Sequence, residues 1–157
     1  MTIVMLFDLD DTILMSNIYK HYTDIIPDSY LNYLMDNINC KKFIYTNGTL
    51  GHAQNSLKSL DNGYQFKGIF ARDTLPYMKP DFRSFNHVQN LLYYNHKCNR
   101  SDKFIFFDDL PNNLKTAKSL GWMTVWINPK CDDFYFDFID YKFKTLIESL
   151  IYFKDIL

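Results

Sequence analysis

Five consecutive apolar residues, Ile3-Val4-Met5-Leu6-Phe7, run directly into Asp8-Leu9-Asp10-Asp11-Thr12. A short, unalternating run of bulky and β-branched residues is the pattern of a strand buried on both faces. Such a strand belongs in the interior of a sheet. Three aspartates follow it within four positions. Like charges held a few ångströms apart repel unless a proton or a cation lies between them. Two readings follow from this stretch alone. One is a site for a hard divalent cation, Mg²⁺ foremost, with oxygen ligands from carboxylates, phosphate and water. The other is a solvated turn, where aspartate is at home.

The rest of the chain repeats the opening pattern. Strands are expected at about 2–7, 42–46, 68–71, 103–107 and 123–127, each apolar and short. Between them, helical periodicity is expected after the Asp28-Ser29 cap and over 50–60, from Pro80 through Leu92, from Pro111 to Gly121, and over 143–156. Residues 8–26 read as a loop or irregular hairpin closed by Pro27, and Asp61-Asn62-Gly63 reads as a helix stop. Alternating strands and helices predict a three-layer α/β/α, Rossmann-like, doubly wound parallel sheet. At 157 residues the expectation is a single domain over 1–157. Ligands of such sheets bind beyond the carboxyl ends of the strands, near the switch in strand order. Asp8, Thr46 and Asp108 all fall at such ends.

Three later stretches bear on the two readings of the aspartates. Lys42-Phe43-Ile44-Tyr45-Thr46-Asn47-Gly48 is a strand ending in a hydroxyl residue and a glycine loop. Met78-Lys79-Pro80-Asp81 sets one lysine before a helix start, and Phe104 to Asn113 holds a second apolar strand ending in Asp108-Asp109. With the first stretch, these four resemble, in order, the motif set of the haloacid-dehalogenase-like (HAD) hydrolases. The resemblance extends from end to end of the chain. It implies phosphoryl transfer: Asp8 as nucleophile forming an aspartyl-phosphate, and Asp10 as general acid and base. It also implies Mg²⁺ held by Asp8, Asp108 and the backbone carbonyl of Asp10. Asp109 would be a ligand through water or the partner of Lys79, and Asn113 would support the metal shell. Thr46, Asn47 and Lys79 would bind the phosphate, the backbone amides of Asn47 and Gly48 serving as a small anion nest. The dehalogenase and P-type ATPase branches characteristically lack an acid at the position of Asp10, so phosphatase chemistry is implied. Asp11 is expected to be structural and Thr12 to hydrogen-bond within the loop.

The intervals between motifs leave no room for a sizeable cap domain. Capless relatives act on large substrates, such as phosphoproteins or polynucleotide ends, or borrow a lid from a second subunit. The wording Phe106-Phe107-Asp108-Asp109 with Asn113 and Lys118-Ser119-Leu120-Gly121, together with Tyr45-Thr46-Asn47-Gly48, resembles the pyrimidine 5′-nucleotidase branch. Ile18, Tyr19, His21 and Tyr22 could then stack on a base, or serve merely as core and surface aromatics. The expected function is a Mg²⁺-dependent phosphomonoester hydrolase, with nucleotides as one substrate class. The alternatives are a capless phosphatase for phosphoprotein or polynucleotide ends and a catalytically idle HAD domain used for binding.

Composition narrows the classes further. A net charge of −1 argues against a general nucleic-acid surface. No apolar run reaches the roughly 18 residues of a membrane span. Cys40, Cys98 and Cys131 are odd in number and lack paired spacing, as in a reducing compartment. With no signal-like N-terminus, the expectation is a soluble cytoplasmic protein whose partner is a phosphorylated small molecule or macromolecule. Aromatics make up 18% of the residues, and they crowd Phe134 to Tyr141, a stretch expected to pack on the sheet edge or to form a contact between copies in a homo-oligomer. His52, His87 and His96 show no metal spacing and read as structural or exposed.

Overall fold

A computed structural model describes residues 2–157. Six parallel strands form one sheet: β1 (Ile3–Phe7), β2 (Lys41–Tyr45), β3 (Gly68–Phe70), β4 (Lys103–Asp108), β5 (Met123–Ile127) and β6 (Tyr141–Phe143). Their order is β3-β2-β1-β4-β5-β6, so the chain builds outward from β1 to one edge, then crosses back to build outward from β4. The switch point of this doubly wound sheet lies between β1 and β4. Five helices cover it: α1 (Ser29–Asp36), α2 (Leu50–Leu60), α3 (Phe82–Tyr94), α4 (Pro111–Ser119) and α5 (Leu146–Ile156). Among the described residues no helix is long and apolar enough to cross a membrane.

The two faces of the sheet carry separate cores, as strands buried on both sides require. Met5, Phe7, Ile44, Ile105 and Phe107 point to one face, under α1, α2 and α5. Val4, Leu6, Phe43, Tyr45, Phe104 and Phe106 point to the other, under α3 and α4. The second core is an aromatic lattice: Phe85 of α3 meets Tyr45, Phe106 and Trp122 edge to face, at 5.1, 5.7 and 5.5 Å between ring centroids. Such pairs add to the burial of large apolar surface. On the first face, Phe7 and Phe107 stack at 4.6 Å as register partners across the switch point. The residues that follow them are Asp8 and Asp108.

Side-chain caps start four of the helices. Asp28 accepts from the amides of Tyr30 and Leu31, Thr49 from His52, Asp81 from Arg83 and Thr145 from Glu148. Pro111 takes the first turn of α4, where a missing N–H costs nothing. Pro80 does not open α3 as the sequence suggests. The helix begins at Phe82 with Asp81 as its cap, leaving Lys79 and Pro80 in the preceding loop. The stop after α2 falls where the sequence places it, with Asp61 taking the left-handed conformation at φ 54°.

The largest difference lies at the C-terminal edge. Residues 141–143 form β6, a strand the periodicity does not announce, and α5 begins only at Leu146. The preceding aromatic stretch folds against that edge. Phe136 lies 5.5 Å from Trp126 and 5.2 Å from Phe138, whereas Phe134 and Tyr135 remain exposed. Between Asp8 and α1 the chain makes only short 3-10 turns, at Ser16–Ile18 and Tyr22–Asp24, and the fold carries no large cap.

Because Phe85 joins three rings in one lattice, Phe85→Ala removes contacts that its neighbours cannot close around. Urea denaturation should show a loss of about 3–5 kcal/mol relative to wild type.

Candidate active site

Asp8 leaves β1 and Asp108 ends β4, side by side at the switch point, with the Asp8 amide donating to the Phe107 carbonyl at 2.9 Å. Lys79 reaches between them. Its ammonium donates to Asp8 Oδ1 at 3.1 Å, to Asp108 Oδ2 at 2.9 Å and to the Tyr45 carbonyl at 2.8 Å. All three of its protons are thereby used, which is what lets a charge sit 4% exposed. The faces of Tyr45 and Phe106 lie 5.0 and 5.2 Å from the nitrogen. Burial opposes charge on Lys79, but Asp108 and Asp8 outweigh it and hold its pKa above the usual lysine value.

Three carboxylates share this floor. One oxygen each from Asp8, Asp108 and Asp109 lies within 4.8 Å of the others. Burial, only partly offset by Lys79, pushes the Asp108 carboxyl up to about 6. Burial, contact with Asp8 and the charge of Asp108 push Asp109 up to about 8. One ammonium does not neutralise the two buried carboxylates of Asp8 and Asp108, so the cluster is short of positive charge. A donor set made of oxygens alone suits a hard cation. Asn113 donates to Asp108 Oδ2 at 3.1 Å and the Leu110 amide donates to Asp108 Oδ1 at 2.8 Å, which fixes that carboxylate from both sides. Trp126 donates from its indole N–H to the Asp109 carbonyl at 2.9 Å, tying the aromatic edge to the site. Asp109 makes no bond to Lys79, so that expected partnership does not form.

The loop after β2 forms the adjoining wall. Thr46 is buried, and its Oγ1 accepts from the Gly48 amide at 3.0 Å, which leaves the hydroxyl proton free to donate. The Gly48 amide is therefore spent within the loop, and the anion nest expected there is smaller by one donor. Asn47 has its side chain turned away. Its amide donates to the Lys79 carbonyl at 2.9 Å and its oxygen accepts from the Lys79 amide at 3.0 Å, so it holds the lysine loop. Thr12 donates to Asp8 Oδ2 at 3.2 Å. Asp11, at φ 62°, accepts from the amide and hydroxyl of Ser16. Both behave as the sequence suggests.

Asp10 stands apart from this trio. Its carboxylate faces His52 Nε2, at 2.9 Å from Oδ1 and 3.1 Å from Oδ2. His52 reads from sequence as structural or exposed, yet the first turn of α2 brings it to the site. No spacing rule links position 10 to position 52. The one available signal is the Thr49 cap, which places His52 on the turn directly beyond the Thr46 loop.

No protein-family model matches the chain, and no curated protein matches it by sequence. Solved structures do. A Bacillus subtilis protein, YfnB, described as a HAD-hydrolase bound to magnesium, superposes with a TM-score of 0.70 at 15% identity, over 97% of this chain and 98% of that one. The core domain of a candidate phosphoglycolate phosphatase from Streptococcus pneumoniae superposes at 0.65 with 17% identity, over 98% and 96%. L-2-haloacid dehalogenase from Xanthobacter autotrophicus, with chloropropionic acid covalently bound, gives 0.64 at 13% identity, over 87% of this chain and 64% of that one. The chain has the fold of the HAD-like hydrolases, without a large cap.

Lys79 is the one cation within hydrogen-bonding reach of these buried acids among the described residues. Lys79→Met leaves Asp8 and Asp108 facing each other uncompensated. Chemical denaturation in metal-free buffer should show a loss of about 3–5 kcal/mol, the usual cost of breaking a buried pair from one side.

Proposed function

We propose that this chain is a Mg²⁺-dependent phosphomonoester hydrolase that works through an aspartyl-phosphate on Asp8. The observation that carries the reading is the group at the switch point: Asp8 and Asp108 bridged by buried Lys79, with Asp109 beside them and Asp10 across the loop. The magnesium-bound HAD-hydrolase and the candidate phosphoglycolate phosphatase support it as a matter of fold. The dehalogenase neighbour makes plain hydrolysis at carbon the competing chemistry on the same fold. Asp10 favours phosphoryl transfer, because alkoxide departure needs a proton and halide departure does not.

In the first step an Asp8 carboxylate oxygen bonds to phosphorus while the bond from phosphorus to the leaving oxygen breaks. The Asp10 carboxyl gives its proton to that oxygen. In the second step Asp10, now a carboxylate, takes a proton from water as the water oxygen bonds to phosphorus. The bond between phosphorus and the Asp8 oxygen breaks, and phosphate is released with Asp8 restored. Lys79 orients Asp8 and offsets its charge. Thr46, with a free hydroxyl proton, and the backbone amide of Asn47 would hold phosphate oxygens. Asp8 and Asp108, the Asp10 carbonyl and, through water, Asp109 would hold the Mg²⁺. When bound, that ion supplies positive charge to the phosphate oxygens.

Two substrate classes fit this site. A nucleotide would place its base in the cleft that Tyr19, His21, Tyr22 and His52 line. A phosphorylated protein or polynucleotide end would use the open face that a cap would otherwise cover. A panel of mononucleotides, phosphopeptides and end-phosphorylated oligonucleotides separates them. An idle binding domain is disfavoured by the joint presence of Asp8, Asp10, Thr46, Lys79 and Asp108.

The purified protein should hydrolyse an aryl phosphate with Mg²⁺, lose turnover in EDTA, and lose it at least about 10³-fold in Asp8→Asn. Metal-independent hydrolysis unaffected by Asp8→Asn would overturn the reading. Mg²⁺ should also raise the melting temperature of the wild type but not of Asp108→Asn, as expected of an ion bound only by the native state.

A further inference from the structure

We infer that His52 is a positioning residue for Asp10, and that Tyr22 holds His52 in the orientation and tautomer that this role requires. The inference rests on the acid–base role proposed above for Asp10 and adds to it the group that aims the carboxylate.

The geometry is a three-membered chain. His52 Nε2 faces both oxygens of Asp10, at 2.9 and 3.1 Å, and His52 Nδ1 lies 2.8 Å from the Tyr22 hydroxyl. In its carboxylate form, the form that takes a proton from water in the second step, Asp10 only accepts, so the ring nitrogen facing it then carries the hydrogen. Nδ1 is then a bare acceptor, and the group opposite it is a hydroxyl that donates. One neutral tautomer satisfies all three side chains, and a partner on the second nitrogen is what selects a tautomer.

Each member is held independently. His52 occupies the first turn of α2, its amide donating to the Thr49 cap at 3.1 Å. Tyr22 lies in the 3-10 turn 22–24, which Asp24 closes by accepting from the amides of Lys20 and His21 at 3.1 and 3.0 Å. The Tyr22 ring packs on the core beneath the sheet, 5.7 Å from the imidazole. Gly48 completes the enclosure. A Cβ there would come 3.1 Å from His52 Cδ2, 3.3 Å from Thr46 Oγ1 and 3.5 Å from Asp10 Oδ2. The absent side chain is what lets imidazole, carboxylate and threonine meet. Asp10 itself is 36% exposed at the side chain and lies outside the bonds that Lys79 makes to Asp8 and Asp108. His52 is thus its fixed point of attachment. A carboxylate that must face the leaving oxygen in one step and a water in the next gains from such an anchor, because small misplacements cost rate steeply.

The experiment uses the full chain, an aryl phosphate and an alkyl phosphate, with His52→Ala, His52→Gln and Tyr22→Phe. A phenolate leaves without help from an acid, and an alkoxide does not. In His52→Ala, kcat/KM for the alkyl ester should fall about 100-fold, and for the aryl ester less than about tenfold. Aryl turnover in that variant should show a burst of about one phenolate per enzyme, since the Asp10-dependent second step becomes limiting. His52→Gln, whose amide nitrogen can still donate to Asp10, should stay within about tenfold of wild type on both esters. Equal losses on the two esters, or no loss, would overturn the inference. Wild-type inactivity on both esters would count against the phosphatase reading, and the positioning role would then be decided by nitrogen NMR alone. There, neutral His52 should be held as the Nε2–H tautomer in the wild type and become a mixture in Tyr22→Phe. An Nδ1–H tautomer or a mixture in the wild type would overturn it.

Discussion

One ammonium group between two carboxylates sets the terms for the rest of this molecule. Lys79 Nζ is buried against Asp8, Asp108 and the Tyr45 carbonyl, and none of the four tolerates the interior without the others. Asp8 and Asp108 come from strands that are neighbours in space but nearly a hundred residues apart in sequence. Lys79 comes from neither. Their convergence therefore requires the crossover that places β4 beside β1, the stacking of Phe7 on Phe107, and the Asn47 side chain that pins the lysine loop. The site and the sheet form together.

The same arrangement explains how labour divides among the acids. Asp8 and Asp108 are buried, with Asp109 half-buried beside them, and the trio is crowded and short of positive charge, which suits a cation and an attacking carboxylate. Asp10 is more open than Asp8 and Asp108 and is tied to the imidazole of His52. Burial thus sets Asp8 and Asp108 apart from Asp10, since a carboxylate that exchanges protons needs access to the leaving oxygen and to water. The Tyr22 contact extends this order outward, so that a segment with little regular structure of its own is anchored at the mouth of the site.

Much of this was legible in the sequence, for physical reasons. Strands buried on both faces announce themselves as apolar runs, and their ends mark where ligands gather. Asp8, Thr46 and Asp108 could be read that way, whereas Lys79, outside any strand, is legible only through the resemblance of its stretch to a family motif. Caps such as Asp28 carried their own local signal. What escaped has a common cause, namely contacts between residues far apart in sequence. His52 meets Asp10 only because α2 follows the Thr46 loop at a particular angle. Asn47 turns from the phosphate side to the lysine backbone because Lys79 needs a tether. β6 is three residues long and takes its order from Trp126 and its neighbours, so its own periodicity says little. Pro80 read as a helical first turn, but Asp81 supplies the better cap.

If Asp8 carries the phosphoryl group, the direct test is to catch it there. The wild type is mixed with Mg²⁺ and an aryl phosphate, quenched within one turnover, reduced with borohydride and digested, and the peptide spanning Asp8 is weighed. Reduction of an acyl phosphate converts that aspartate to homoserine. The expected result is homoserine at position 8 and at no other aspartate. Turnover with Asp8 unmodified, or with the mark on another residue, would contradict the proposed mechanism.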